Sequence, residues 1–139
     1  MTAAEALRQA IPRLRAAGVA DAPGDARRLL AHALQCPPDR LTLHLPDKMT
    51  GMAQAAFETG VRARVARQPV SQIVGERLFY GRVFQVTGDV LDPRPDTELL
   101  VQLALAQPFA RVLDLGTGSG CILLSCLAGM PIATGLGTD

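Results

Sequence analysis

Apolar residues recur every three or four positions through the first half of the chain, then fall into short runs and alternations through the second. Thr2-x-x-Glu5 ahead of Leu7 is a capping-box pattern, and Leu7, Ile11 and Leu14 repeat at helical spacing until Gly18. Pro12 lies inside this segment, where its missing N–H should kink the helix. A second helix is predicted over 25–35, with Leu29, Leu30, Ala33 and Leu34 as its apolar stripe, and Pro37-Pro38 stops it. A short segment over 39–44 leads to Pro46. Thr50 caps a third long helix through Met52, Ala56, Phe57, Val61 and Val65 to Arg67, ahead of Pro69. The pattern predicts a helical bundle over 1–74, with the boundary at about Gly75.

Beyond Gly75 the period changes. Leu78-Phe79-Tyr80 and Val83-Phe84-Gln85-Val86 read as a hairpin across a Gly81-Arg82 loop, with Gly first as a type II′ turn requires. The aromatics here read as hairpin packing. Val90-Leu91-Asp92-Pro93-Arg94-Pro95-Asp96-Thr97-Glu98 follows, its prolines holding the backbone extended until Asp96 or Thr97 caps a helix to Gln107. Two prolines around an arginine among acids is strong local specification, and it places this stretch at the border of a site. Next, residues 111–115 read as a buried strand, 121–128 as a helix apolar nearly all round and therefore buried, and 132–138 as a second strand. Gly135 and Gly137 are poor strand formers whose presence suits close approach to a ligand.

Composition changes this picture little. The chain has 139 residues, 48% hydrophobic and 19% charged, which fits a globular chain with a core of mostly Leu, Val and Ala. No run reaches the ~20 apolar residues of a membrane span, and no signal-peptide layout opens the chain, so a cytoplasmic location is expected. The three cysteines, with no Cys-x-x-Cys and with His32 and His44 far from them, give no metal-ligand spacing. Cys121 and Cys126, five apart on one helix, should face different directions. Charge divides unevenly: residues 1–70 carry ten Lys/Arg against six Asp/Glu, and residues 71–139 carry four against seven. Such an imbalance fits two units with different partners, and equally fits solvated helix faces.

The chemistry concentrates in Leu113-Asp114-Leu115-Gly116-Thr117-Gly118-Ser119-Gly120, a strand ending in an acid and then three alternate glycines. Glycines there let the chain take φ > 0 and let a ligand lie against the backbone, while the helix that follows aims unpaired N–H groups into the gap. Cys121 stands where a G-x-G-x-x-G/A dinucleotide fingerprint needs its last small residue, and no Gly-Lys-Ser/Thr follows to make a P-loop. Asp139, nineteen residues beyond Gly120, stands about where the next strand of such folds carries a ribose-binding acid. A sharp turn can use glycines for itself, with Asp114 merely capping it; three alternating glycines between two acids weigh toward a cofactor.

The acid-x-Gly-x-Gly-x-Gly order resembles the cofactor motif of S-adenosylmethionine methyltransferases with a Rossmann-like fold. With Pro69-Val70 to Gly75-Glu76, Phe79-Tyr80-Gly81 and the Pro-Arg-Pro-Asp-Thr-Glu core of 90–98, the chain resembles one family in particular, the release-factor glutamine methyltransferases. These methylate the glutamine side-chain amide of the Gly-Gly-Gln loop in peptide chain release factors. The resemblance implies an N-terminal helical bundle for release-factor recognition (1–74), then a β-hairpin linker and the first part of a Rossmann-like catalytic domain (75–139). It implies S-adenosylmethionine held by Gly116, Thr117, Gly118, Ser119 and Gly120, its ribose by Asp139, with Asp114 supporting the loop or meeting the ammonium group. Arg94, Pro95 and Thr97 would border the pocket. Asp92 departs from the apolar residue that relatives often have there.

The family's substrate motif, Asn-Pro-Pro-Tyr, should lie further along, and this chain contains no Asn. The chain therefore reads as a partial methyltransferase, with no catalytic residue to name and with only its bundle expected to fold independently. No metal, no membrane contact and no direct nucleic-acid binding are expected. Two alternatives stand beside this reading. The chain could serve as a non-catalytic binding module, or the parent could methylate nucleic acid or another protein, since Asn-Pro-Pro-Tyr sites also serve amino groups on bases.

Overall fold

The computed structural model describes all residues 1–139 and divides into two compact units, Met1–Val74 and Gly75–Asp139. The first is helical: α1 (Ala3–Ala16), α2 (Ala22–Ala33), a 3₁₀ turn (Pro38–Arg40), α3 (Leu41–His44), α4 (Gly51–Val65) and α5 (Val70–Val74). Thr2 and Glu5 form the reciprocal capping box, with Glu5 Oε2 accepting from the Thr2 N–H at 2.7 Å and Thr2 Oγ1 from the Glu5 N–H at 3.3 Å. The helix runs on through Pro12 without a break.

The face that α1 buries is Ala3, Ala6, Leu7, Ala10 and Leu14, rich in alanine, so the helices approach closely. A Cβ on Gly60 of α4 would lie 3.2 Å from Leu29 Cδ2 of α2, which shows how tightly those two helices meet. Sixteen buried residues form this core. Three expectations change here. Helix α2 begins at Ala22, capped by Asp21, because Pro23 fits the first turn. Asp25, the expected start, lies buried inside and accepts from Arg64 Nε at 2.7 Å and Arg28 Nη2 at 2.8 Å. Met52 is 84% exposed, so the buried face of α4 is Phe57, Gly60 and Val61.

The second unit holds an antiparallel hairpin, β1 (Glu76–Phe79) and β2 (Arg82–Gln85), then α6 (Pro95–Leu105), β3 (Arg111–Leu115), α7 (Cys121–Gly129) and β4 (Thr134–Thr138), with β3 and β4 parallel. Its core is small: Phe79 and Phe84 in edge-to-face contact at 6.2 Å, Val101 of α6, and Cys121 and Cys126 of α7. Both cysteines, five residues apart on α7, belong to this one cluster. Gly129 packs α7 on α6, where a Cβ would lie 2.6 Å from Leu105 Cδ2.

The hairpin loop is Tyr80-Gly81, one residue earlier than predicted, with φ +47 and +75. Positive φ at both central residues is the type I′ geometry, and the Tyr80 N–H left free by the turn donates to Glu98 Oε1 at 2.8 Å. Helix α6 starts at Pro95 with Arg94 in the cap position, since proline's fixed φ and missing N–H suit the first helical residue. Neither Asp96 nor Thr97 caps it. Strand β3 and helix α7 are less buried than their apolar sequences predict: Leu113 is 59% exposed, Leu115 75% and Leu124 50%. One parallel pair with a helix on one face leaves the opposite face open to water. The last strand starts at Thr134, leaving Ile132 exposed.

Candidate cofactor turn

The loop between β3 and α7 is built by three glycines with positive φ: +74 at Gly116, +55 at Gly118 and +79 at Gly120. At Gly116 and Gly118 an added Cβ would meet nothing within 4 Å, so the backbone there faces open space. Gly120 is the N-cap of α7 and brings no side-chain cap, which leaves the helix's first amides to another acceptor.

Three hydrogen bonds tie the turn to the end of β4 and to Asp139 after it, and a fourth closes the turn on itself. The Gly116 and Thr117 N–H groups both donate to Thr138 O, at 2.7 and 2.9 Å. Gly118 N–H donates to Asp139 Oδ1 at 3.0 Å. Gly120 N–H donates back to Thr117 O at 2.9 Å. Below the turn, Thr117 Oγ1 donates to Asp114 Oδ2 at 2.9 Å. One hydrogen bond thus joins Asp114 to Thr117 and another joins Gly118 to Asp139, while Ser119 follows Gly118 in the turn. Burial first and the Asp114 charge second push the Cys126 thiol above its ordinary pKa, so Cys126 stays protonated.

Gly135 and Gly137 serve packing and not the close approach of a ligand that their weak strand propensity suggests. A Cβ on Gly135 would lie 2.7 Å from Leu123 Cδ1, and one on Gly137 would lie 2.8 Å from Thr117 Oγ1. Helix α7 and the turn itself fill that space.

Arg94 and Pro95 are exposed and Thr97 half-buried at the start of α6, with no hydrogen bond or ion pair to the glycine turn. What ties their stretch down is different. Glu98 holds the Tyr80 amide, and Asp92 pairs with Arg77 Nη1 at 3.1 Å. Both are links the sequence reasoning missed; the available signal was the x-Gly order of Tyr80-Gly81, the order a type I′ turn prefers. No group of three or more His, Cys, Asp or Glu is placed to hold a metal ion, and no helix is long and apolar enough to cross a membrane.

The family description "PrmC N-terminal domain" matches residues 5–75, half of the chain. A release factor glutamine methyltransferase of Cereibacter sphaeroides is 63% identical over all 139 residues. The chain belongs to the release factor glutamine methyltransferase family. Proteins of the same name from Rhodospirillum rubrum and Burkholderia pseudomallei are 45% identical over 91% of the chain and 44% identical over 78%. The chain spans half the length of the first relative and 40% of each of the other two.

Proposed function

We propose that this chain supplies the partner-docking bundle and the cofactor-binding turn for S-adenosylmethionine-dependent methylation of the Gly-Gly-Gln glutamine in peptide chain release factors. The observation that carries the reading is the turn after β3, where three positive-φ glycines, Gly116 and Gly118 of them open to solvent, stand between Asp114 and Asp139. Membership of a family whose relatives bear that activity in their names supports it.

The residues suit such a cofactor. The Gly118 amide already holds a carboxylate oxygen, the open backbone at Gly116 and Gly118 leaves room, and the uncapped α7 amides favour a carboxylate. The segment from Gly116 through Thr117, Gly118 and Ser119 to Gly120 would hold the methionine end. Asp139, with its second oxygen unbonded, would accept from the ribose hydroxyls. When bound, the cofactor supplies a methyl group on a positively charged sulfur, an electrophile for the amide nitrogen. The chain's own share is to orient that group, since a neutral amide is a weak nucleophile and placement carries most of the acceleration.

In this reading the bundle over 1–74 docks the release factor in the cytoplasm, and Arg94, Pro95 and Thr97 border the pocket. Neither a metal nor direct nucleic-acid binding enters. The absence of Asn, and with it of Asn-Pro-Pro-Tyr, favours the view that these 139 residues bind without turning over.

The test is transfer of a labelled methyl group by the protein extended to its relatives' length, offered a release factor or duplex DNA. Label in the release factor, none in DNA, and none in either with the 139 residues alone is the expected result. Label in DNA but not in the factor overturns the substrate assignment.

A further inference from the structure

Arg94 is an exposed cation on a stretch pinned at both ends, and its guanidinium belongs to none of the chain's ion pairs. Two residues before it, Asp92 Oδ2 meets Arg77 Nη1 of β1 at 3.1 Å, with the two side chains 21% and 25% exposed. Four residues after it, Glu98 Oε1 accepts from the Tyr80 N–H at 2.8 Å. Pro93 is buried and Pro95 opens α6, so the backbone on either side of Arg94 has little freedom left. Arg94 itself is extended, with φ −108 and ψ 149, as the following proline requires.

This is more restraint than a connector needs. Tyr80, the residue that Glu98 holds, sits at φ +47, and a bulky residue keeps such a conformation only where its surroundings compel it. Arg77 lies opposite Phe84 in the hairpin ladder, so the first tie reaches back to the strand pair that carries the unit's aromatic contact. Fixing the backbone under a long side chain lowers the cost of ordering that side chain when a ligand arrives.

The charges nearby choose the ligand's chemistry. Residues 89–98 hold Asp89, Asp92, Asp96 and Glu98 against the single base Arg94, and Asp89 and Asp96 are exposed. A phosphate or carboxylate approaching Arg94 meets that negative field, whereas a neutral carbonyl oxygen does not. The planar fork of guanidinium N–H groups suits carbonyl oxygens lying side by side. A glycine-rich loop, bare of side chains, lets its backbone approach closely enough to offer them.

We propose that Arg77 and Glu98 are positioning residues that hold Arg94 as a preset donor to main-chain carbonyls of the release factor's Gly-Gly-Gln loop. This rests on the function proposed above and deepens it by naming what the second unit recognises on the substrate.

The test is steady-state methyl transfer to a release factor by the protein extended to its relatives' length. Arg94→Ala should raise KM for the release factor about tenfold, and change kcat and KM for S-adenosylmethionine by less than about threefold. The rise should persist in high salt, because a neutral acceptor is not screened as an ion pair is. Arg77→Ala and Glu98→Ala should each raise the same KM about threefold. Glu98→Gln, which keeps an acceptor, should restore it, and so should exchanging the charges by Arg77→Asp with Asp92→Arg.

An unchanged KM for the release factor in Arg94→Ala, or an equal rise for both substrates, overturns the role of Arg94. A rise that vanishes in high salt overturns the carbonyl acceptor in favour of a charged one. Should Arg94→Ala raise KM while Arg77→Ala and Glu98→Ala leave it alone, the positioning roles are overturned. A wild-type protein that labels no release factor overturns the proposed function itself, and the inference with it.

Discussion

Tyr80 shows how one residue's conformation can be set by a distant side chain. A bulky residue at φ +47 is uncommon, because its Cβ crowds the backbone. The turn survives because Gly81 takes the second positive φ freely and Glu98 satisfies the exposed amide. Glu98→Ala should therefore speed hydrogen exchange of the Tyr80 amide by about tenfold, while Glu98→Gln, which keeps an acceptor, should change it far less. An unchanged rate in the alanine variant would refute the link. Gly116 separates strain from crowding in the same way. Alanine there meets no atom within 4 Å yet must hold φ +74, so the variant should lose about 1 kcal/mol in urea unfolding. Gly88→Ala, equally uncrowded and without positive φ, is the control expected to lose none.

At the scale of elements, α1 and α4 are joined on their outer faces by Glu58, which accepts from Arg13 at 2.8 and 2.9 Å and from Arg62 at 2.9 Å. The Arg13 hydrogen bonds lead in holding its carboxyl down from 4.5 to about 2. With the folded value depressed, the unfolded chain takes up this proton first, so the stabilisation is present above pH 4.5 and is lost as pH falls toward 2. Glu58 is 39% exposed, so solvent screening limits the effect to under about 1 kcal/mol. Glu58→Gln should flatten the acid limb of the stability curve across that window, and an unchanged limb counts against the contact. Helix α7 carries the opposite case. Ser125 is 2% exposed and its hydroxyl finds no partner. Ser125→Ala should therefore be neutral or stabilising by up to about 1 kcal/mol in thermal melts, and a clear destabilisation would reveal a bond to that hydroxyl.

For the whole molecule, the two units differ in how much core they own. A cluster of sixteen buried hydrophobic residues holds Met1–Val74 together, against a cluster of five in Gly75–Asp139, where Leu113, Leu115 and Leu136 lie open to water. A fragment of residues 1–74 should give a cooperative melt and helical circular dichroism, and residues 75–139 alone a broad one, since two short strand pairs with few buried side chains are marginal. Cooperative unfolding of the second fragment would show that its packing is stronger than its core implies. The split also shapes the functional reading, because the family match at 5–75 covers the bundle while the glycine turn lies in the thinner unit.

The sequence by itself determined the long helices, the hairpin, the strand–turn–helix and the family, because these rest on local signals: the Thr2 and Thr50 caps, the period-3.6 stripes, the alternate glycines. Contacts between residues far apart in the chain were decided only by the tertiary structure. Asp25 reads as a helix start and proves a buried acid between two arginines, since only the packing of α2 on α4 brings Arg64 to it. Glu98 reads as part of a motif and proves the anchor of a turn eighteen residues away. Gly137 reads as a place for a ligand and proves the space for Thr117. Local propensity is a property of neighbours along the chain, whereas the partner of a carboxylate or the occupant of a glycine's empty face depends on which elements fold against each other.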